Sequence, residues 1–159
     1  MKPMVAFRLD GQPYALPLAS VERVVRAVEI TPLPKAPPVV LGIVNIGGAI
    51  IPVFNIRRRF RLPERDLNLG DHLVVGRVGR RMVAIVVDEA SGVVWRPQSA
   101  MIPAQEILPG LEGIEGVAKL EDGMILIYDL GKFLSLEEEM ALDMALSQSG
   151  NVGGTRADE

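Results

Sequence analysis

The 159-residue chain has no cysteine and only one histidine, His72. The first absence excludes a disulfide framework, a thiolate metal site and a cysteine nucleophile. The second excludes a histidine metal cluster and leaves a single residue from which any Ser-His-Asp triad would have to be built. His72 follows Asp71 in a glycine-containing loop, the setting of a surface turn rather than of a catalytic base. Aromatic residues make up 4% of the chain, and Trp95 and Tyr128 stand apart from one another. They read as core or rim packing, not as a stacking platform. Long apolar runs are missing too. A stretch such as Met82 to Val87 falls far short of the roughly 20 residues a membrane-spanning helix needs. Lys2 is followed at once by Pro3, and Arg8 and Asp10 interrupt the first apolar run, so no secretory leader is expected. These absences predict a soluble cytoplasmic protein with no direct membrane insertion, no cofactor and no metal.

What the chain does have is apolar residues, 48% of the total, and glycine, 16 of them. The net charge is −3 and the isoelectric point near 5.3, so charge alone does not make it a polyanion binder. The dominant pattern is a short apolar run, a turn signal and a second short apolar run. It occurs around Asp10-Gly11, Gly47-Gly48, Gly79-Arg80 and Asp122-Gly123. Such residues tolerate the positive φ of tight hairpin turns, and Val/Ile-rich runs between them predict strands. With Val21 to Ile30 and Val93 to Arg96 as extended connectors, about ten strands are expected. Pro13, Pro17 and Pro52 fall inside these runs and predict edges, bulges or bent barrel strands. "MVAIVV" (82–87) and "MILIY" (124–128) are apolar on both faces, so each must be covered on both sides. One helix is expected, opened by a Ser135/Glu138 capping box, with Leu136, Met140 and Met144 along one face.

The halves repeat. Gly42 to Phe60 lies over Gly116 to Leu134, matching Gly42 with Gly116, Ile51 with Ile125, Phe54 with Tyr128 and Asn55 with Asp129. Residues 11–25 lie over 79–95 with small insertions, and the loop 61–72 separates the halves. The expected fold class is all-β: two packed five-stranded SH3-like barrels with a C-terminal α-helix.

The chemistry-bearing residues are sparse. Glu137 to Glu139 sit where a helix N-terminus favours negative charge, and Asp88-Glu89 reads as a strand-end turn or cap. "GRVG" (76–79) lacks the lysine and the strand–loop–helix setting of a phosphate-binding loop. No pair of groups supports catalysis, so no enzyme is expected. Arg57, Arg58, Arg59, Arg61 and Arg65 form the one conspicuous polar cluster. It reads either as a solvated strand end that discourages edge pairing or, less favourably given the acidic isoelectric point, as a nucleic-acid patch.

"YALPLASVERVVR" (14–26), the segment 30–60 and "VAIVVDEASGVV" (83–94) resemble the CheW family of chemotaxis coupling proteins. The most specific part is Gly42, Asn45, Gly48 and Pro52 at their Gly-x-x-Asn-x-x-Gly-x-x-x-Pro spacing. The resemblance runs from about Met4 to Leu146. It implies a CheW-like domain of two intertwined small barrels over residues 1–146, with a flexible tail at 147–159. It also implies a non-enzymatic adaptor whose partners are a CheA-type histidine kinase regulatory domain and a chemoreceptor's cytoplasmic tip. Val21, Ile30, Gly42, Asn45 and Gly48 match family positions tied to such contacts, and Val87, Asp88 and Val93 match the second barrel's side of the groove. Three residues depart from the family pattern: Gly47 where an arginine is usual, Arg23 where a carboxylate is usual, and Asn55 where an aspartate is usual. Arg23 and Gly47, and Arg57 from the arginine-rich exit of the same hairpin, join the candidate partner-binding set. A coupler serving a pilus-regulating or other non-flagellar pathway is the alternative.

Overall fold

Each turn signal closes a hairpin. Strands β1 (Lys2–Leu9) and β2 (Gln12–Pro17) join through Asp10 and Gly11, at φ of 50° and 80°. Strands β4 (Val40–Ile46) and β5 (Ala49–Phe54) join through Gly47 and Gly48, at 60° and 88°. Both turns have the two consecutive positive-φ residues of a two-residue hairpin. β6 (His72–Val78) with β7 (Arg81–Val87), and β10 (Ile114–Leu120) with β11 (Gly123–Tyr128), make the other two pairs. β3 (Val21–Arg26), β8 (Glu89–Arg96) and the short β9 (Met101–Pro103) stand between hairpins. This computed structural model describes residues 2–96, 101–103, 106, 113–120 and 123–157; the turn residues Glu121 and Asp122 lie outside them.

The halves do not fold separately. One sheet runs β8-β1-β2-β11-β10-β9 and the other β3-β6-β7-β5-β4. The first hairpin of each half thus pairs with the later strands of the other half, and the two barrels are intertwined. The repeat holds to the residue: Gly42 faces Val53 and Gly116 faces Ile127, each just past a bulge. Each barrel is closed by the chain that follows its connector strand, through the Thr31–Ile43 bridge in one and β9 on β10 in the other. Closure removes free sheet edges. Pro13 and Pro52 each sit one residue before their strand's parallel pairing begins, at Tyr14 with Leu126 and at Val53 with Ala84. The missing N–H therefore falls outside the parallel ladder.

The doubly apolar strands are explained by three packed cores. From β7, Ala84 faces the interior of its own barrel, while Val83, Ile85 and Val87 enter the core shared by both. From β11, Ile125 and Ile127 fill the other barrel and Tyr128 enters the shared core. Phe54 stacks on Phe133 at 4.5 Å and Phe60 meets Tyr128 edge-on at 4.8 Å; such pairs add to simple burial.

The capping box forms as expected. The Ser135 amide donates to Glu138 Oε1 at 2.9 Å and the Glu138 amide donates to Ser135 Oγ at 3.1 Å, opening α2 (Leu136–Ala157). Its packed face differs from expectation. Leu142 and Ala145 are buried with Leu146 beside them, while Met140 and Met144 are exposed. An i, i+3, i+4 triplet starting at Leu142 presents a better apolar patch than the Met140/Met144 row, whose turn also carries Asp143. The helix also continues to Ala157, across most of the segment expected as a tail from 147. The capping box starts it and no proline interrupts it. Among the described residues no helix is long and apolar enough to cross a membrane.

Candidate protein-docking surfaces

The arginine cluster is not a free cationic patch. Asn55 caps α1 (Ile56–Arg59), its Oδ1 accepting from the Arg58 amide at 3.1 Å. That turn drives Arg57 inward, where it is 9% exposed. Its guanidinium meets Asp10 at 2.7 Å, Asp88 at 2.6 Å and the Pro63 carbonyl at 2.8 Å. Arg65 grips Asp71 with both terminal nitrogens, at 2.7 and 2.8 Å, and also meets Asp88 at 2.6 Å. Arg59 pairs with Glu138, and Arg58 with Glu64. The nucleic-acid reading loses most of its cations to carboxylates of the chain itself.

The network ties together parts far apart in sequence: the β1–β2 turn, α1, the 61–71 strap and the β7–β8 junction. Burial alone pushes the Asp88 carboxyl up, but the Asp10 amide and the Arg57 and Arg65 guanidinium groups outweigh it and hold Asp88 below the usual carboxylate range. Asp71 behaves alike: burial raises it, and Arg65 with the Asn68 amide brings it lower. Arg65 is raised, chiefly by its bond to Asp71. Asp88 is thus an ion-pair hub rather than a simple turn or cap residue. His72, expected in a surface turn, instead opens β6, opposite Val87 on β7 and Arg26 on β3, and is half-buried. The departure at Asn55 also has a reason. Its amide donates to Glu64 of the strap at 2.6 Å, which an ionised aspartate has no proton to do.

Under the strap lies a cleft of about 480 Å³, floored by Ile30, Leu41 and Val86 and walled by Arg57, Glu64, Arg65, Asp66 and Asp71. Of the expected site residues, Ile30 and Arg57 line this cleft and Asp88 anchors its wall. Gly42 does not line the cleft; it follows Leu41 on β4, where an added Cβ would lie 2.2 Å from the Thr31 carbonyl oxygen and 3.0 Å from the Ile30 side chain. A second group gathers at the tip of the β4–β5 hairpin. Asn45 accepts from the Gly48 amide at 3.0 Å, and Arg23 Nη2 lies 3.4 Å from where a Cβ on Gly47 would stand. Val21 is half-buried at the start of β3. Two expected contact residues face inward: Val87 is fully buried and Arg57 nearly so. Side chains packed in the core or consumed in ion pairs support a surface from beneath instead of touching what docks on it.

Val93 is 49% exposed on β8, in the other sheet. Trp95, two residues on and 52% exposed, shares its face of the strand. Leu41, Ile50, Leu67 and Leu69 are exposed as well, Leu69 by 96%. Sequence reasoning missed them because an isolated Leu or Ile in an apolar-rich chain carries no mark of exposure. The Val93-x-Trp95 alternation was a usable signal. Among the described residues, no three His, Asp or Glu side chains gather as a metal-holding group.

The model of the CheW-like domain matches residues 3–138. The chain belongs to the CheW family. It is 28% identical over 141 residues to the chemotaxis protein CheW of Treponema pallidum (strain Nichols), covering 85% of this chain and 83% of that one. It is 29% identical over 138 residues to the chemotaxis protein CheW of Klebsiella aerogenes, covering 86% and 82%. The crystal structure of the scaffolding protein TtCheW from Thermoanaerobacter tengcongensis matches with a TM-score of 0.77 at 27% identity, over 86% of this chain and 94% of that one. As a CheW-family protein the chain is a chemotaxis signalling adaptor, and the pair of intertwined barrels is the scaffold on which it works.

Proposed function

We propose that the chain couples chemoreceptors to a CheA-type histidine kinase, holding the kinase's regulatory domain against the receptor's cytoplasmic tip through protein contacts and without catalysis of its own. The observation that carries this reading is the division of exposed apolar surface between the two barrels. One part comprises the cleft floor of Ile30, Leu41 and Val86 with Ile50 further along the same β4–β5 hairpin; the other is the Val93 and Trp95 face of β8. Two such faces on one rigid frame allow two proteins to be held at once, each by an apolar centre and a polar rim. Arg23, Asn45, Gly47 and Gly48 form the rim at the hairpin tip. Val21, Ile30 and Gly42 shape the adjoining surface, and Val93 belongs to the second face. Arg57, Val87 and Asp88 hold these surfaces in place.

The test is capture of this chain by an immobilised CheA-type regulatory domain from the same genome, titrated at low and at moderate salt. Saturable binding that persists in moderate salt is expected from an apolar interface. Absence of capture, or a steeply salt-dependent preference for duplex DNA, contradicts the reading.

A further inference from the structure

Arg23 is placed by a built-in device. Between Val21 and Arg23 the pairing of β3 with β6 slips by one residue, from Gly76 to Val75. Such a bulge turns a side chain away from its regular direction. Gly76 makes the slip feasible: a Cβ there would lie 2.6 Å from the Ser20 carbonyl oxygen. The redirected Arg23 reaches across the barrel end to the β4–β5 tip, with Nη2 3.4 Å from the point a Gly47 Cβ would occupy. Any larger side chain at 47 would have to share that space.

The cation arrives there uncompensated. Among the described residues Arg23 has no ion pair, and the nearest acid in its strand, Glu22, is held by Arg77 at 3.0 Å. The tip turn supplies only Gly47 and Gly48, and Asn45 is committed to the Gly48 amide. Ile50, further along the same hairpin, is 57% exposed. The other barrel has the same bulge, between Ala6 and Phe7, but Gly92 stands at the position of Arg23. The cation therefore belongs to one barrel end and is not a by-product of the repeat.

We propose that Arg23, given room by Gly47, is the specificity-determining cation of this barrel tip, and that the docking partner is a protein presenting an Asp or Glu carboxylate from an apolar surround. One free guanidinium at a hairpin tip that also carries the exposed Ile50 suits a single protein carboxylate at an interface. A nucleic acid would require many phosphate contacts, and most of the 57–65 arginines are already paired. The proposal rests on the adaptor reading and specifies the chemistry of one of its contacts.

The experiment measures binding of the full chain, by calorimetry, to the CheA-type regulatory domain and to a receptor-tip fragment from the same genome, at two salt concentrations. Arg23→Ala should weaken binding to one of the two by about tenfold, Arg23→Glu by about a hundredfold, and Arg23→Lys by less than either. Because the side chain is exposed, thermal unfolding should be unchanged in all three. Replacing one partner carboxylate by Arg should restore binding of Arg23→Glu. If the wild-type chain binds a partner and Arg23→Glu binds both probes equally well, the assignment of Arg23 is overturned while the adaptor reading stands. If the wild-type chain binds neither probe, the adaptor reading falls and this proposal with it.

Discussion

The two barrels of this molecule are the same frame finished differently. Gly42 and Gly116 face Val53 and Ile127 in matching hairpins, with bulges in matching places. Phe54 and Tyr128 end the matching strands, and both enter the shared core. Beyond those strands the likeness stops. Asn55-Ile56-Arg57 leads into a buried guanidinium, an ion network and a strap. Its counterpart, Asp129-Leu130-Gly131, makes a short 3-10 turn and runs on to the capped helix α2. At the other end Arg23 is answered by Gly92. What closes a barrel has been kept in both copies; what projects from its ends has been free to change. The ends are therefore where partner choice should be sought.

Making the same substitution in both copies tests this most severely. Gly42→Ala forces a Cβ to 2.2 Å from the Thr31 carbonyl oxygen, whereas Gly116→Ala meets the Ile102 carbonyl oxygen at 2.9 Å. Urea unfolding should show a loss of about 3 kcal/mol or more for Gly42→Ala and about 1–2 kcal/mol for Gly116→Ala. Equal losses would mean that the two closures are not as different as their geometry. Next comes the exit. Arg57→Ala leaves Asp10 and Asp88 without their shared cation and should cost about 2–3 kcal/mol, moderated by the partial exposure of both carboxylates. At the matching position Gly131→Ala, on an exposed turn, should cost under about 0.5 kcal/mol.

Acid should separate the barrels too. The folded-state values of Asp71 and Asp88 lie below their ordinary range. Their contribution is therefore complete above the unfolded carboxylate value of about 4 and is lost as pH falls through the lowered folded values. Amide exchange below pH 4 should show the strap and the β7–β8 junction opening before β10 and β11. A modest effect is expected at the helix start, where Ser135→Ala removes the capping hydroxyl and should cost about 1 kcal/mol in urea unfolding.

The hairpins could be read from the chain because Asp-Gly and Gly-Gly announce their turns locally, and the repeat could be read because packing preserved Gly42, Ile51 and Phe54 in Gly116, Ile125 and Tyr128. The exchange of strands between halves could not. It depends on pairings between strands far apart in the chain, the antiparallel β1 with β8 and β3 with β6 and the short parallel contacts of β5 with β7 and β2 with β11, which leave no local signature. Arg57 was legible as a cation but not as a buried one, since Asp10 and Asp88 reach it from distant parts of the chain. The packed face of α2 was misread because the Met140 and Met144 spacing is as helical as that of Leu142, Ala145 and Leu146. Only the surface beneath decides between them.

The claim at the centre is that one rigid double barrel holds two signalling proteins together, one on each face. Analytical ultracentrifugation of the chain mixed with a CheA-type regulatory domain and a receptor-tip fragment tests it directly. A single ternary species, reduced to one binary complex by Val93→Glu and to the other by Arg23→Glu, is the predicted result. Two binary complexes that exclude each other would contradict it.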